Sequence, residues 1–222
     1  MQSAKPKLAI VGGTGALGSG FARRLAAAGY EIVIGSRTAE KAQEAASQLP
    51  AAAGAVRPSG ATNAEAAQAA DVVLVTVPFG SQAQILDEIK PHVAGKLVID
   101  ATVPLVPPKV ARVQLPAEGS AAVAAQRHLG EGVRVVSAFH NVAAHKLQTD
   151  VEIECDVLVF GDSTADRDIV IEIAKAARLR GLHGGALVNS AAAEALTSVL
   201  IGINRTYKVD GAGIRITGVL PA

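Results

Sequence analysis

The chain has 222 residues, half of them hydrophobic and 18% charged, which suits one well-buried domain and excludes a disordered chain. Its 21 basic and 20 acidic residues leave a net charge of +1, a balance that argues against nucleic-acid or membrane-surface binding. A single cysteine, Cys155, excludes an internal disulfide framework and reads as a small buried hydrophobe; aromatics at 3% with no tryptophan exclude a base-stacking platform.

Short β-branched runs alternate with alanine-rich segments of helical length, the pattern of a mostly parallel sheet covered by helices. Residues 1–6 lack the apolar stretch of a signal peptide, and no uninterrupted apolar run reaches the ~18 residues of a membrane span, so a cytoplasmic protein is expected. Residues 7–11 form the first strand, near-continuously apolar as a buried parallel strand should be. A helix over 16–28 follows, with Gly29 as its left-handed cap. The second strand spans 31–34, and a helix from 39 ends at Pro50. After a weak third strand within 51–61, Thr62 and Glu65 form a capping box that opens a short helix. Strands are then expected at 72–77 and 97–99, with a helix over 81–90 between them. Pro104, Pro107, Pro108 and Pro116 exclude regular helix from 102–119. Beyond it the pattern gives a helix at 120–129 and a strand at 133–137. Strands at 156–160 and near Leu182 flank a helix over 164–178, and a helix over 190–207 precedes a terminal strand at 214–217.

Directly after the first strand comes Gly12-Gly13-Thr14-Gly15-Ala16-Leu17-Gly18, in which Gly13, Gly15 and Gly18 fit G-x-G-x-x-G. Between a buried strand and an amphipathic helix this is a dinucleotide fingerprint. Its glycines serve a tight turn, close approach to a pyrophosphate and helix–strand packing, and the helix N-terminus supplies amide donors. An NAD site would carry an acid at the end of the second strand; this chain has Gly35-Ser36-Arg37 there, with Lys41 one turn on. Arg37 can fork two donors onto a 2′-phosphate, so the cofactor expected is NADP(H). The ends of strands four and five place Thr76, Val77, Pro78 and Phe79, then Ala101, Thr102 and Val103, where a doubly wound sheet lines its ligand crevice.

Chemistry beyond the cofactor is sparser. No Tyr-x-x-x-Lys pair exists, since Tyr30 and Tyr207 are followed four residues on by Ile34 and Gly211, and the five histidines are too scattered for a metal site. His140 follows the sixth strand at its carboxyl end, placed to bond a substrate or stabilise charge, although a lone loop histidine is more often structural. Ser190, Glu194 and Thr197 share one face of the last helix, either facing a ligand or solvating the helix.

Taken together, several separated pieces resemble one family, the coenzyme F420-dependent NADP oxidoreductases. They are Gly12–Gly18 (residues 12 to 18), Gly35-Ser36-Arg37 with Lys41, Val77-Pro78-Phe79, Val135 to His140, Gly161-Asp162, and Asn189-Ser190 with Glu194-Ala195-Leu196-Thr197. The resemblance implies a Rossmann-type doubly wound α/β fold in one domain over residues 1–222. Residues 1–137 would be the NADP-binding core and 138–222 an extension forming the second-substrate side. It implies hydride exchange between NADPH and coenzyme F420, a 5-deazaflavin, with catalysis mainly by positioning, Thr14, His140 and Thr197 near the two ring systems, and a homodimer. Phe79 stands where the family commonly has tryptophan, and Ala195 where a serine commonly precedes the matched threonine by two. The alternatives are an NADPH-dependent reductase of a flavin or a small carbonyl or imine, and an NADP sensor that transfers no hydride.

Overall fold

The computed structural model describes residues 5–218, so the reading of residues 1–6 falls mostly outside it. Eight strands make one sheet in the order β3-β2-β1-β4-β5-β6-β7-β8. They are β1 (Leu8–Val11), β2 (Ile32–Ser36), β3 (Ser59–Thr62), β4 (Val72–Val75), β5 (Leu97–Asp100), β6 (Arg134–Ser137), β7 (Asp156–Phe160) and β8 (Arg180–Gly185). Neighbours are parallel except β6 and β7, which run antiparallel and share the single pair Ser137 with Phe160. The order reverses at β1, so the crossing-over point lies between β1 and β4, where ligands bind in such sheets. A Rossmann-like α/β architecture with a mostly parallel sheet, as the alternation of runs implied, is what the chain adopts.

Both sheet faces are covered because successive side chains of a strand point to opposite sides. On one face Leu8, Ile10, Ile32, Ile34, Leu74 and Ile99 pack with Phe21 and Leu25 of α1 (Ala16–Ala27), Ala42 and Ala46 of α2 (Ala39–Ser47), and residues of a helix introduced below. On the other, Ala9, Val11, Val73, Val75 and Val98 meet α3 (Asn63–Ala69), α4 (Phe79–Ile89) and α5 (Ala121–Leu129). Each fully buried Leu, Ile or Phe contributes about 1.5–3 kcal/mol relative to exposure. A short α6 (Ala144–Leu147), α7 (Thr164–Ala176, adding Val170 and Ile173 to the first core) and α8 (Ser190–Tyr207) complete the set.

Several boundaries move for physical reasons. β2 runs on through Gly35 and Ser36 because β3 pairs with both, against Ala61 and Thr62. β4 stops at Val75, and Pro78 sits at the N-cap of α4, so that helix starts at Phe79 rather than Ser81. The turn of helix at Ala144–Leu147 was not read from the sequence; it packs its buried Leu147 against Gly20 of α1. The expected strand at 214–217 does not form. Ile214 accepts a bond from the Asp156 amide at 2.8 Å, but Ile216 donates to the Asp156 carboxylate, at 2.6 Å, so a side chain replaces the ladder. Residues 102–119 form neither helix nor strand, and Ser198 of α8 ties them down by donating to the Arg112 carbonyl at 3.3 Å.

The stretch Leu187–Tyr207 is long and apolar enough to cross a bilayer, with mean hydropathy 1.3. In the fold it lies against α5 and β7, with Glu194 in its middle wholly buried. At the opposite end of α1, the buried Arg24 guanidinium donates to the carbonyls of Lys146, Leu147, Thr149, Val151 and Ala177. It fastens α1 to the chain around α6 and to the end of α7.

Candidate active site

The turn after β1 is made by Gly12 rather than Gly13. Gly12 has φ +72° in the left-handed region, and a Cβ there would lie 2.6 Å from Val77 Cγ1. Its amide donates to the Asn63 side chain at 3.2 Å, while the Gly13 amide donates to the Gly35 carbonyl at 2.9 Å. Gly18 lets α1 approach the sheet: a Cβ would sit 2.7 Å from Gly13 Cα and 2.6 Å from Thr76 Oγ1. Thr76 in turn donates to the Val11 carbonyl at 2.9 Å, closing the base of the turn. Gly15 faces outward with Thr14 and Ala16, and a Cβ on it would meet nothing nearer than the Gly12 carbonyl at 3.3 Å. Leu17, beside Gly18, packs inward on the core.

The N-termini of the helices divide in a telling way. Ser120 and Ser163 cap α5 and α7 by accepting from Val123 and Asp166. α1, α2 and α4 start at Gly15, Thr38 and Pro78 with no side-chain cap bond, and α1 has no acid in its first turn. The orphan amides of α1 and the positive end of its dipole are therefore left to an incoming anion.

These features open on one cleft of about 360 Å³, walled by Gly12, Thr14, Gly15, Ser36, Arg37, Asn63, Thr76, Val77 and Pro78, and by Ser81, Gln84, Ile85 and Glu88 of α4. Ser36 is buried at the end of β2 and Arg37 is exposed beside it. Lys41 is exposed on α2 without reaching the wall, and Phe79 lies half-buried at the start of α4, also off it. Ala101 and Val103 leave β5 away from this wall, Ala101 being buried with its amide on the Val75 carbonyl. Asn63 and the α4 stripe were missed in the sequence: an asparagine at a helix start reads as a cap, and α4 carries polar residues on its buried side as well as on the cleft, Gln82 and Gln84, which hides the face turned to the cleft.

A second cavity of about 340 Å³ lies beyond β6, lined by His140, Asn141, His145, Thr197, Leu200, Asn204 and the chain at 209–212 among others. His140 is buried with Nε2 2.7 Å from Ser137 Oγ, and burial lowers its pKa to about 3, so the imidazole is neutral at neutral pH. Thr197 Oγ1 donates to the His140 carbonyl at 3.1 Å and accepts from Asn141 Nδ2 at 3.0 Å. The expected shared face of Ser190, Glu194 and Thr197 splits: only Thr197 reaches a cavity. Ser190 is buried on Ser120, at 2.8 Å, and Glu194 accepts from the Ala121 and Ala122 amides, at 2.6 and 3.2 Å. Glu194 thus supplies the carboxyl group that accepts from the N-terminus of α5. Near it Asp100 is buried, accepting from Gln82 Nε2 at 2.5 Å and the Thr102 amide at 2.9 Å. Among the described residues no cluster of three His, Cys, Asp or Glu side chains is placed to hold a metal. On the wall of the second cavity His145 Nε2 lies 2.8 Å from the Asp210 carboxylate, both side chains exposed, while the buried His140 is neutral. With no acid or base buried and aimed into either cavity among the described residues, the arrangement suits a reaction governed by placement.

Residues 7–104 match the family model described as NADP oxidoreductase, coenzyme F420-dependent. An F420-dependent NADP reductase of Methanothermobacter thermautotrophicus is 42% identical, covering 96% of this chain and 95% of that one. The enzyme of the same name from Methanocaldococcus jannaschii is 38% identical over 96% of this chain and 99% of its own. A putative F420-dependent NADP-reductase structure from Arthrobacter sp. FB24 shares the fold, with a TM-score of 0.78 at 24% identity over 96% of this chain and 100% of that one.

Proposed function

The chain belongs to the coenzyme F420-dependent NADP oxidoreductase family, and from that premise we propose that it moves a hydride between NADP(H) and coenzyme F420. One observation carries the cofactor: the cleft at the uncapped start of α1 continues to Ser36 and Arg37, with no carboxylate at the end of β2. NADPH, when bound, supplies the hydride from its nicotinamide C4 for C5 of the deazaflavin. In this reading the α1 amides and Gly15 take the pyrophosphate, Arg37 with Ser36 takes the 2′-phosphate, and Lys41 adds field from the next turn. Asn63 and Thr76 keep the turn closed. Residues 138–222 form the second-substrate side, where His140 presents a neutral ring that neither donates a proton readily nor repels a cationic nicotinamide. Thr197, whose hydroxyl lies 3.1 Å from the His140 carbonyl and 3.3 Å from that of Ala193, holds the backbone of His140 in place. Thr14, without a hydrogen-bond partner among the described residues, offers a hydroxyl on the cofactor side. We also take the chain to be a homodimer paired through α8, whose Val199 is 46% exposed; sedimentation at the monomer mass would remove that element.

The test is oxidation of NADPH followed with F420, FMN, FAD and small carbonyl compounds in parallel. F420 should turn over at least tenfold faster than any other acceptor. Turnover with a carbonyl alone, or with none of them, would replace the reading by an imine- or carbonyl-type reductase or by an NADP sensor. Arg37→Ala should weaken NADPH about 10- to 100-fold, the loss of a charge-assisted pair of about 1.5–3 kcal/mol, and leave NADH unchanged. An equal loss for both dinucleotides sinks the 2′-phosphate assignment.

A further inference from the structure

The cleft that would receive three phosphates also contains an acid. Glu88 stands on α4 in line with Ser81, Gln84 and Ile85, at i, i+3, i+4 and i+7, all on the wall shared with Arg37. Its neighbour Asp87 faces away and binds His128 at 2.8 Å, whereas Glu88 has no hydrogen-bond or ion-pair partner among the described residues. Ile85 beside it is buried and gives the same wall an apolar surface. A carboxylate on the wall of a polyanion site repels the ligand unless it meets a donor. On the adenosine half of NADP(H), once the 2′-phosphate is with Ser36 and Arg37, the base is attached to the adjoining ribose carbon. The sole donor on that base is its 6-amino group.

We propose that Glu88 accepts a hydrogen bond from the adenine 6-amino group, with Gln84 beside it donating to a ring nitrogen, so that α4 makes the purine itself a determinant of cofactor choice. This inference rests on the NADP reading above. It concerns this chain's own residues at the base, a part of the ligand that the glycine turn and Arg37 do not read. Ile85 and Val77 supply the apolar surface against which the flat base lies, and the carboxylate supplies the direction.

The experiment measures binding, by isothermal titration calorimetry, of NADP⁺ and of its hypoxanthine analogue, in which a 6-keto oxygen replaces the amine. The proteins are the wild type, Glu88→Gln and Glu88→Ala. The wild type should bind the hypoxanthine analogue about 10- to 50-fold more weakly, since the 6-amino donor is lost, an oxygen is brought against the carboxylate, and N1, now carrying hydrogen, no longer accepts from Gln84. Glu88→Gln, whose amide can donate to the keto oxygen, should narrow the gap to threefold or less, mainly by improving the analogue. Glu88→Ala should lose discrimination by weakening NADP⁺. If the wild type binds both dinucleotides equally well, or all three proteins discriminate alike, the Glu88 assignment is overturned while the NADP reading stands. If the wild type binds neither, the NADP reading falls and takes this one with it.

Discussion

Replacing Gly18 with alanine should cost about 100-fold or more in NADPH affinity while leaving the sheet assembled. The new methyl would meet Gly13 Cα at 2.7 Å, the Gly12 carbonyl at 3.0 Å and Thr76 Oγ1 at 2.6 Å. Two of those are backbone atoms of the turn, which cannot rotate aside, so α1 must retreat from the strand by a few tenths of an ångström or more. Overpacking of this kind costs about 1–3 kcal/mol in stability. The larger loss is functional, because the amides at the start of α1 are the proposed anion site and their aim changes with the helix. Gly15→Ala meets only the Gly12 carbonyl, at 3.3 Å, so its effect should fall on the ligand rather than on the fold. Calorimetric titration with NADPH, beside thermal unfolding of both variants, checks this. Unchanged affinity in Gly18→Ala would mean that the turn is more pliable than its contacts indicate.

The second large effect is expected at Glu194. Removing its carboxylate in Glu194→Ala leaves the Ala121 and Ala122 amides buried without partners, each worth about 1–3 kcal/mol. A total of about 3–5 kcal/mol corresponds to a fall in Tm of roughly 8–15 °C for a chain of this size. Glu194→Gln keeps one acceptor oxygen but turns an NH₂ towards the other amide, so its loss should be about half. The variants also separate a pH effect. Burial pushes Glu194 up to about 7 and Asp100 up to about 6, the bound amides opposing the rise in both and the nearby Asp100 charge adding to it at Glu194. The folded protein then holds protons that the unfolded chain has released, and stability falls as pH rises from about 4 through about 7. His140 works the other way: lowered to about 3, it favours the folded state above about 6.5 and loses that stability as pH falls. Thermal unfolding between about pH 5 and 8 should therefore show the wild type declining toward the alkaline end and Glu194→Gln declining less. Parallel profiles would show that Glu194 does not titrate in that window.

How much of this was legible in the sequence differs from place to place. The glycine turn and the Ser36-Arg37 pair were readable because their chemistry is local: a strand, a tight turn and a helix start lie within eleven residues of sequence. That Gly12 takes the left-handed turn was not, since two adjacent glycines offer the same freedom and only packing against Val77 chooses. Glu194 looked like a surface acid on an amphipathic helix; that it serves a helix starting at Ala121 depends on α8 crossing α5, a contact between residues 72 and 73 positions apart. The terminal strand failed for a similar reason. Asp156, gripped by Arg180, answers the chain at Ile216 with its carboxylate where a backbone carbonyl would be needed.

The reversal between β6 and β7 bears on how such a protein can change over generations. Those strands share one residue pair, and the second cavity is made largely from the chain around it, at 140–145, 197–204 and 209–212. Substitutions or length changes in those segments disturb few ladder bonds, while the cleft at the start of α1 sits on strands whose pairings run the length of each. If the second cavity takes the acceptor, as proposed, that side of the molecule can be altered to suit another redox partner at little cost to the sheet, and the nucleotide side need not change with it.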